Sequence, residues 1–466
     1  MKRIAILTAG GDTPALNATI HGAAVRANQR NIELIGLLRG FSSLFNPRVP
    51  HVVLNPLFGM IPELDPTHGG TILGSSRTYV DPDDLAQLDM ACDRLKKLGV
   101  EGMICIGGDG TLNGMQSICD RIPTVLAPKT IDNDLGLNYP HETDKWVRET
   151  DASAAAGFRY RINEEGASIE NGHFQIDQMV NYVTPGFATA TFVSAGGVCR
   201  VRTTAESHRR IAIIEVMGRH SGYLALGSAY GQPDLILIPE VAIDIDHLAD
   251  RVREIYDRQR NVVIVCGEGV RDQSGKILGA SQETTDPSGN LAISGAAEVL
   301  RSRLIDIIGD DFFRWEDRNT SAERAIFTRK VGHTQRGGRP LVFDRFHAAQ
   351  LGGKAVDMLL EGCNNSVAIL QWNQTEGFHV STCDGNGFRD SWGQIHARSV
   401  HSTFYDADRL QISTKGVEYL LPIFRQAIGA DDVEHIKETL FDSGNLVRRY
   451  HSVNTDIEKR LRFLDP

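Results

Sequence analysis

The sequence lacks the features that would place this protein in a membrane, outside the cell or on nucleic acid. No apolar run approaches the length of a membrane span. The N-terminus, MKRIAILTAGG, enters a strand and a glycine turn without the long apolar core of a signal peptide, so we expect a cytoplasmic protein. The net charge is −10, from 49 basic and 59 acidic residues. This excess of negative charge argues against nucleic acid or an anionic membrane as a partner. An anionic substrate must therefore be held by local arginines rather than by the overall charge.

The sequence also has few cysteines and no sign of independent modules. The 466 residues contain seven cysteines, an odd number with no CxxC pair, and most lie inside apolar patterns. We therefore predict reduced core thiols rather than disulfides or zinc ligands. No internal repeat, low-complexity tract or linker separates independent modules. The length exceeds one ordinary core, so two α/β domains with additions are expected.

Two neighbouring turns organise the chain. Short apolar runs at Met103–Ile106 and Ile122–Leu126 have the length and branching of buried parallel strands, and each leads into a polar turn. The first turn reads GGDGT (107–111) and the second KTIDND (129–134). The carboxyl ends of parallel strands in an open α/β sheet are where ligands bind.

The first turn is typical of a polyphosphate site, because its glycines let backbone N–H groups approach phosphate oxygens at a helix N-terminus. Asp109 would repel a phosphate unless a divalent cation, naturally Mg²⁺, lay between them. The second turn supplies Lys129, Thr130, Asp132 and Asp134, a set suited to phosphoryl transfer. Taken alone, GGDGT is also compatible with tight packing or with lipid and NAD kinases, and KTIDND with an Asx-rich surface turn.

Seven motifs together resemble the phosphofructokinase family: AILTAGGDTPALNATI, GGTILGSSRT, GGDGT, PKTIDND, RRIAIIEVMGRHSG, the glutamate of VIVCGEG, and GHTQRGGRP. The resemblance implies two Rossmann-like, three-layer α/β/α domains with mainly parallel sheets, an insertion and a helical C-terminal tail. The implied division is a donor-binding domain at 1–180, a sugar-phosphate domain at 181–345, and a return segment with the tail at 346–466. The insertion near 135–180 is expected to be a surface elaboration, or alternatively a lid or subunit contact.

The resemblance also implies the roles of individual residues. Asp132 would be the general base, Asp109 would hold Mg²⁺, Asp134 would tune the water and metal network, and Lys129, Thr130 and Arg219 would stabilise the moving charge. The donor would contact Gly11, Arg77, Gly108, Gly110, Thr111 and Gly114. Fructose 6-phosphate would contact Arg210, Met217, Gly218, Arg219, Glu268, His333 and Arg336, with Arg210 reaching a neighbouring subunit of a homodimer or homotetramer.

One position departs from the family pattern. An arginine is usual six residues before the histidine of GHTQRGG, where this chain has Phe327, with arginines instead at Arg324 and Arg329. Either Arg329 substitutes for it through a local shift or one phosphate contact is missing.

Two positions, Gly110 and Lys129, disagree about the phosphoryl donor, and Gly114 breaks the tie slightly. Gly110 leaves room beside the donor phosphates, where a carboxylate would repel the α-phosphate of a nucleotide, and Gly114 could admit an adenine ring. Lys129 is typical of pyrophosphate users, although some ATP users carry it. We predict ATP, because a steric and electrostatic exclusion outweighs an optional cation. The alternatives are a pyrophosphate-dependent enzyme, a catalytically silent regulatory subunit, and a lipid or NAD kinase.

Overall fold

The computed structural model describes residues 1–78, 80–151, 157–163, 174–285, 291–293, 295–314 and 320–465. The longer strands, in chain order, are β1 (Arg3–Thr8), β2 (Glu33–Leu37), β3 (His51–Val53), β4 (Gly102–Gly107), β5 (Thr124–Pro128), β6 (Trp146–Thr150), β7 (Phe158–Ile162), β8 (Ile211–Val216), β9 (Leu235–Leu237), β10 (Val262–Gly267), β11 (Ala280–Thr285), β12 (Leu291–Ile293), β13 (Ile326–Lys330), β14 (Ser366–Asn373) and β15 (Gly377–Asp384). A two-residue pair, Tyr405–Asp406 with Gln411–Ile412, follows them.

The α-helices are α1 (Leu16–Gln29), α2 (Ser42–Phe45), α3 (Leu85–Lys97), α4 (Asp109–Cys119), α5 (Phe187–His208), α6 (Tyr223–Gly227), α7 (Ile245–Gln259), α8 (Ala296–Arg314), α9 (Ala322–Ala325), α10 (Val342–Leu360), α11 (Thr414–Phe424), α12 (Ala430–His435) and α13 (Val453–Arg460). None of the helices in the described ranges is both long and apolar enough to cross a bilayer.

The first sheet has the strand order β15-β14-β5-β4-β1-β2-β3 among the described strands. Its centre is parallel, and β3 and β15 pair antiparallel at the two edges. Every residue of β4 and β5 is buried, as expected for strands covered on both faces. Along β1, Ile4 and Ile6 pack on the side of α1 and α10, whereas Ala5 and Leu7 pack on the side of α3 and α4. This alternation produces three layers.

The second sheet is parallel, with the order β13-β8-β10-β9. Along β8, Ile211 and Ile213 pack with α7 and α8, and Ala212 and Ile214 pack with α5. The sequence prediction of an α/β fold with mainly parallel sheets is therefore confirmed. In both sheets the polar motifs follow the carboxyl ends of strands, so the fold gathers them at sheet edges.

Helices α1 and α10 lie unusually close together on the first sheet. A Cβ at Gly22 would come within 2.0 Å of the Ala349 carbonyl oxygen, and one at Gly352 within 2.0 Å of the Thr19 carbonyl oxygen. Only glycine permits this approach. The Arg26–Asp357 ion pair, at 2.8 Å, joins the same two helices at their edge.

The predicted insertion contains an antiparallel hairpin of β6 and β7 in its described part. Trp146 of this hairpin stacks on His396 with ring centroids 3.8 Å apart. Residues 152–156 and 164–173 of the insertion lie outside the described residues. All seven cysteines are free thiols, as the sequence predicts, although Cys199 is exposed rather than in the core.

Candidate active site

The GGDGT turn joins β4 to α4 as predicted. Asp109 opens the helix, and its Oδ1 accepts the N–H of Gly110 at 2.7 Å. Gly107 must lack a side chain, because a Cβ there would lie 1.9 Å from Thr111 Oγ1. At Gly110, by contrast, a Cβ would meet no heavy atom within 4 Å. The turn is therefore tightly packed at Gly107 and open at Gly110.

A second glycine turn lies beside it and lines a cavity of about 450 Å³. Gly10, with φ of +79°, donates its N–H to the Ser76 carbonyl at 3.0 Å, and Ser75 Oγ donates to the Gly10 carbonyl at 2.6 Å. These bonds join the turn after β1 to the GGTILGSSRT segment. The cavity is lined by Gly10, Gly11, Asp12, Gly70, Thr71, Ser75, Ser76 and Arg77. Gly11 and Arg77, predicted as donor contacts, therefore face one cavity.

Lys129 connects the two turns. Its Nζ donates a hydrogen bond to the carbonyl of Gly11. Burial lowers the pKa of Lys129 to about 8, and the positive charges of Arg336 and Arg77 contribute, while Asp12 and Asp134 act in the opposite direction. Lys129, Arg336 and Arg77 therefore concentrate positive charge near the glycine turn after β1.

The carboxylate turn is ordered by Thr130. Its Oγ1 donates to Asp134 Oδ1 at 2.8 Å and accepts the Asp132 N–H at 3.1 Å. Burial raises the pKa of both Asp132 and Asp134, and the negative charge of Asp109 adds to each effect. Within the described part of the chain, Asp132 Oδ1 is buried and has no hydrogen-bond partner.

Two of the motifs predicted to bind the sugar phosphate meet at the carboxyl ends of β8 and β10. Val216 and Gly267 are paired across these strands, and the N–H of Glu268 donates to the Val216 carbonyl at 2.9 Å. Gly269 must be glycine, since a Cβ would lie 1.8 Å from the Arg219 carbonyl oxygen. Burial raises the pKa of Glu268, and the positive charges of Lys330 and Arg219 oppose this shift.

The carboxyl group of Asp132 interacts with charged residues that follow strands of both sheets. The negative charges of Glu268 and Asp109 raise its pKa, while the positive charges of Arg336 and Arg219 lower it. Two carboxylates that follow strands of the first sheet thus interact electrostatically with three charged side chains that follow strands of the second.

The Arg336 guanidinium contacts the turn after β1, which the sequence does not indicate. Its guanidinium donates to the Asp12 carbonyl at 3.3 Å, and a Cβ at Gly11 would come within 2.7 Å of one of its terminal nitrogens. Predicted as a sugar-phosphate contact, Arg336 also lies against the turn after β1, which is predicted to bind the donor. His333 lies on the same short 3₁₀ turn and is exposed.

Gln335 is a site residue that the sequence analysis missed. Its Oε1 accepts the Met217 N–H at 2.9 Å, and its Nε2 donates to Ser194 Oγ at 2.8 Å. It therefore ties the GHTQRGG loop to the MGRH loop that contains Gly218. Its position between His333 and Arg336 in one motif was the available signal.

Arg210 lies away from the rest of the site within one chain. It immediately precedes β8, whereas Met217 follows the other end of that strand, and six strand residues span roughly 20 Å. Phe327 pairs with Ala212 near the same distant edge. Arg329 is exposed, with its guanidinium 5.1 Å from the Phe327 ring centroid, and Arg324 is exposed on α9.

Gly114 packs against side chains rather than facing open space. A Cβ at this position would lie 3.2 Å from the Phe41 ring and 3.4 Å from Val80. Its contribution to donor binding stays a prediction.

Magnesium fits the carboxylates of this site on chemical grounds. Asp109, Asp132 and Asp134 interact unfavourably with one another, and a divalent cation relieves such repulsion. No group of three or more potential ligands forms a metal cage among the described side chains. Mg²⁺ commonly takes one or two carboxylates together with substrate phosphates, which suits an exposed Asp109.

Comparison with known proteins decides the family. Residues 3–138 and 173–359 match the family model described as "Phosphofructokinase". The chain belongs to the phosphofructokinase family. It is accordingly a phosphotransferase that acts on a hydroxyl group, with the function of a phosphofructokinase.

Relatives of this phosphofructokinase carry names of both donor classes. The chain is 31% identical to the pyrophosphate–fructose 6-phosphate 1-phosphotransferase of Dictyoglomus thermophilum over 87% of this chain and 97% of that protein. It is 30% identical to ATP-dependent 6-phosphofructokinase 2 of Clostridium perfringens, over 80% of this chain and 89% of that protein. The structure of a pyrophosphate-dependent phosphofructokinase from Marinobacter aquaeolei matches with a TM-score of 0.66 at 15% identity, covering 92% of each chain, which shows the shared fold.

Proposed function

We propose that this phosphofructokinase transfers the terminal phosphoryl group of ATP to the 1-hydroxyl of fructose 6-phosphate, giving fructose 1,6-bisphosphate, the phosphofructokinase step of glycolysis. The observation that carries the proposal is the position of Asp132. It follows β5, which pairs with the strand that leads to Asp109, and its carboxyl group interacts electrostatically with Asp109, Glu268 and Arg219. A buried carboxylate oxygen without a hydrogen-bond partner among the described residues suits a group that accepts a proton from a substrate hydroxyl.

The mechanism assigns each turn a separate task. Asp132 takes the proton of the 1-hydroxyl as that oxygen attacks the terminal phosphorus in line with the leaving group. The backbone N–H groups of Gly11 and Gly108, the Thr111 hydroxyl and the Arg77 guanidinium hold the donor phosphates. Mg²⁺, held by Asp109, supplies neutralisation of the donor charge when bound.

Charge on the moving phosphoryl group is balanced by Lys129 and Arg219, while Thr130 orders the turn through its bonds to Asp132 and Asp134. Asp134, which already accepts the Thr130 hydroxyl, keeps this turn in place. On the acceptor side, Glu268 accepts from sugar hydroxyls, and His333 and Arg336 donate to the 6-phosphate. Met217 and Gly218 form the backbone wall of that site.

ATP is supported as the donor by Gly110. Its open surroundings leave space beside the donor phosphates, which a carboxylate at this position would occupy with like charge. Pyrophosphate is the second candidate, and Lys129 is the observation that favours it. A buried ammonium beside Arg77 and Arg336 concentrates positive charge where a small, highly charged donor would sit.

The two donors are distinguished by a direct assay. The purified full chain is given Mg²⁺, fructose 6-phosphate and either ATP or pyrophosphate, and formation of fructose 1,6-bisphosphate is followed. We expect kcat/KM to be at least tenfold higher with ATP. A higher value with pyrophosphate would select the second candidate, and no product with either donor would refute the proposed acceptor.

Oligomerisation forms part of the proposal because of Arg210. Its location at the far end of β8 separates it from Met217 and Arg219 of its own chain. We infer a homodimer or homotetramer in which Arg210 of one subunit completes the sugar-phosphate site of another. Sedimentation should give a dimer or tetramer, and Arg210→Ala should raise KM for fructose 6-phosphate more than KM for ATP.

A further inference from the structure

The turn that carries Asp132 and Asp134 is held from the C-terminal part of the chain. Asn133, between the two aspartates, has a left-handed backbone with φ of +56°. Such a conformation is uncommon for a residue other than glycine and persists where surrounding contacts enforce it. The contacts of Asn133 therefore help to fix the orientation of its neighbours, Asp132 and Asp134.

Arg398 supplies the strongest of these contacts. Its Nε and one terminal nitrogen donate to the Asn133 carbonyl at 3.0 and 2.7 Å. The guanidinium also donates to the carbonyl of Asn181, and the Arg398 backbone N–H donates to the Asp134 carbonyl at 2.7 Å. Arg398 is 2% exposed, so these bonds form away from water.

Two further side chains hold the amide of Asn133. Its Nδ2 donates to the Tyr419 hydroxyl at 2.7 Å, and its Oδ1 accepts the Thr184 N–H at 3.0 Å. Thr184 Oγ1 also donates to the Thr130 carbonyl at 2.8 Å. The backbone carbonyl and both ends of the side-chain amide of Asn133 are thus fixed by residues more than fifty positions away.

Arg398 and Tyr419 both lie beyond residue 359, where the match to the family model ends. The segment that contains them runs between β15 and α11 and on into that helix. It therefore contributes hydrogen bonds to the turn that carries Asp132 and Asp134.

We propose that Arg398 is a positioning residue for phosphoryl transfer, holding the Asn133 carbonyl so that Asp132 and Asp134 keep their reactive orientation. This rests on the proposed function only for the nature of the reaction. A planar guanidinium is needed because two of its donors converge on one carbonyl while a third reaches another. An ammonium at this position could satisfy fewer of these acceptors at once.

The experiment compares Arg398→Gln and Arg398→Lys with Arg202→Gln in the full-length protein. Arg202 is a matched control, since it is a part-buried arginine that pairs with Asp234 at 2.6 Å in another region. For Arg398→Gln we expect kcat to fall at least tenfold, with KM for donor and fructose 6-phosphate within threefold of wild type. Arg398→Lys should recover part of kcat, and Arg202→Gln should leave kcat within twofold.

Hydrogen exchange without substrates provides a readout independent of activity. In Arg398→Gln, amides of residues 129–137 should exchange at least tenfold faster than in wild type, with residues 102–107 unchanged. Unchanged exchange at 129–137, equal acceleration throughout the chain, or an unchanged kcat would each overturn the proposal. If wild type fails to phosphorylate fructose 6-phosphate, the proposed function fails, while the exchange measurement still decides the role of Arg398.

Discussion

Lys129 donates a hydrogen bond from its ammonium to the backbone carbonyl of Gly11. This contact joins the turn after β5 to the turn after β1, across 118 positions of the sequence. A buried cation therefore lies where two strand ends of the first sheet meet. Because burial lowers the pKa of Lys129, we expect donor use to depend on pH.

The alkaline limb of the pH profile, where activity falls at high pH, should reflect the loss of a proton from Lys129. With a pKa of about 8 in the free protein, its ammonium loses a proton above that pH, whereas an ordinary lysine stays charged to about 10.4. We expect kcat/KM for the donor to fall above about pH 8 in wild type, because this parameter reflects the free enzyme. Lys129→Arg, which keeps its charge, should move this limb to higher pH. An unchanged limb in that variant would contradict this assignment.

Gly110 should govern discrimination between donors. Gly110→Asp introduces a carboxylate into open space, so the fold should tolerate it while ATP binding weakens by like-charge repulsion. We expect kcat/KM for ATP to fall by roughly tenfold or more, equivalent to about 1.4 kcal/mol. Gly110→Ala is the matched control and should stay within about threefold of wild type, since an exposed substitution of this size usually changes the free energy by about 0.5 kcal/mol or less. Equal losses for both variants would show that size, not charge, is responsible.

His401 should make the fold less stable in mild acid. Its ring stacks on Phe174 with centroids 4.0 Å apart, and burial lowers its pKa to about 4. Since an unfolded histidine has a pKa near 6.5, the unfolded state binds more protons between these values. Stability is therefore lost as pH falls from about 6.5 toward 4, by about 2 kcal/mol between pH 7 and pH 5.

Urea unfolding of wild type and His401→Phe at these two pH values checks this prediction. The phenyl ring keeps the stacking partner but cannot titrate. The difference in unfolding free energy between pH 7 and pH 5 should shrink by about 2 kcal/mol in the variant. If the two proteins lose the same stability on acidification, His401 does not carry the effect.

Much of this architecture could be predicted because its signals are local. The runs before Gly107 and Lys129 are short, branched and apolar, and each is followed within a few residues by glycines or carboxylates. Such a pattern fixes both a buried strand and the edge at which its ligand turn lies. The placement of Asp109 near Asp132 follows from two adjacent parallel strands, β4 and β5.

The parts that the sequence did not reveal depend on distant contacts. Arg336 was predicted at the sugar phosphate, yet its guanidinium also lies over Gly11, 325 positions earlier in the numbering. Gly114 was predicted as a donor contact, and no local pattern indicates that it packs beside Phe41. Arg398 lies in a polar segment without a motif, so no local pattern indicates that it binds Asn133.

The most direct test of the account is the rate of phosphoryl transfer by Asp132→Asn, with Asp177→Asn, at an exposed aspartate, as control. We expect kcat for transfer from ATP to fructose 6-phosphate to fall by roughly 10² to 10⁴, because the base is lost. KM for the sugar phosphate should stay within about threefold, since other residues hold it. Turnover near the wild-type value in Asp132→Asn would contradict the assignment of Asp132 as the proton acceptor.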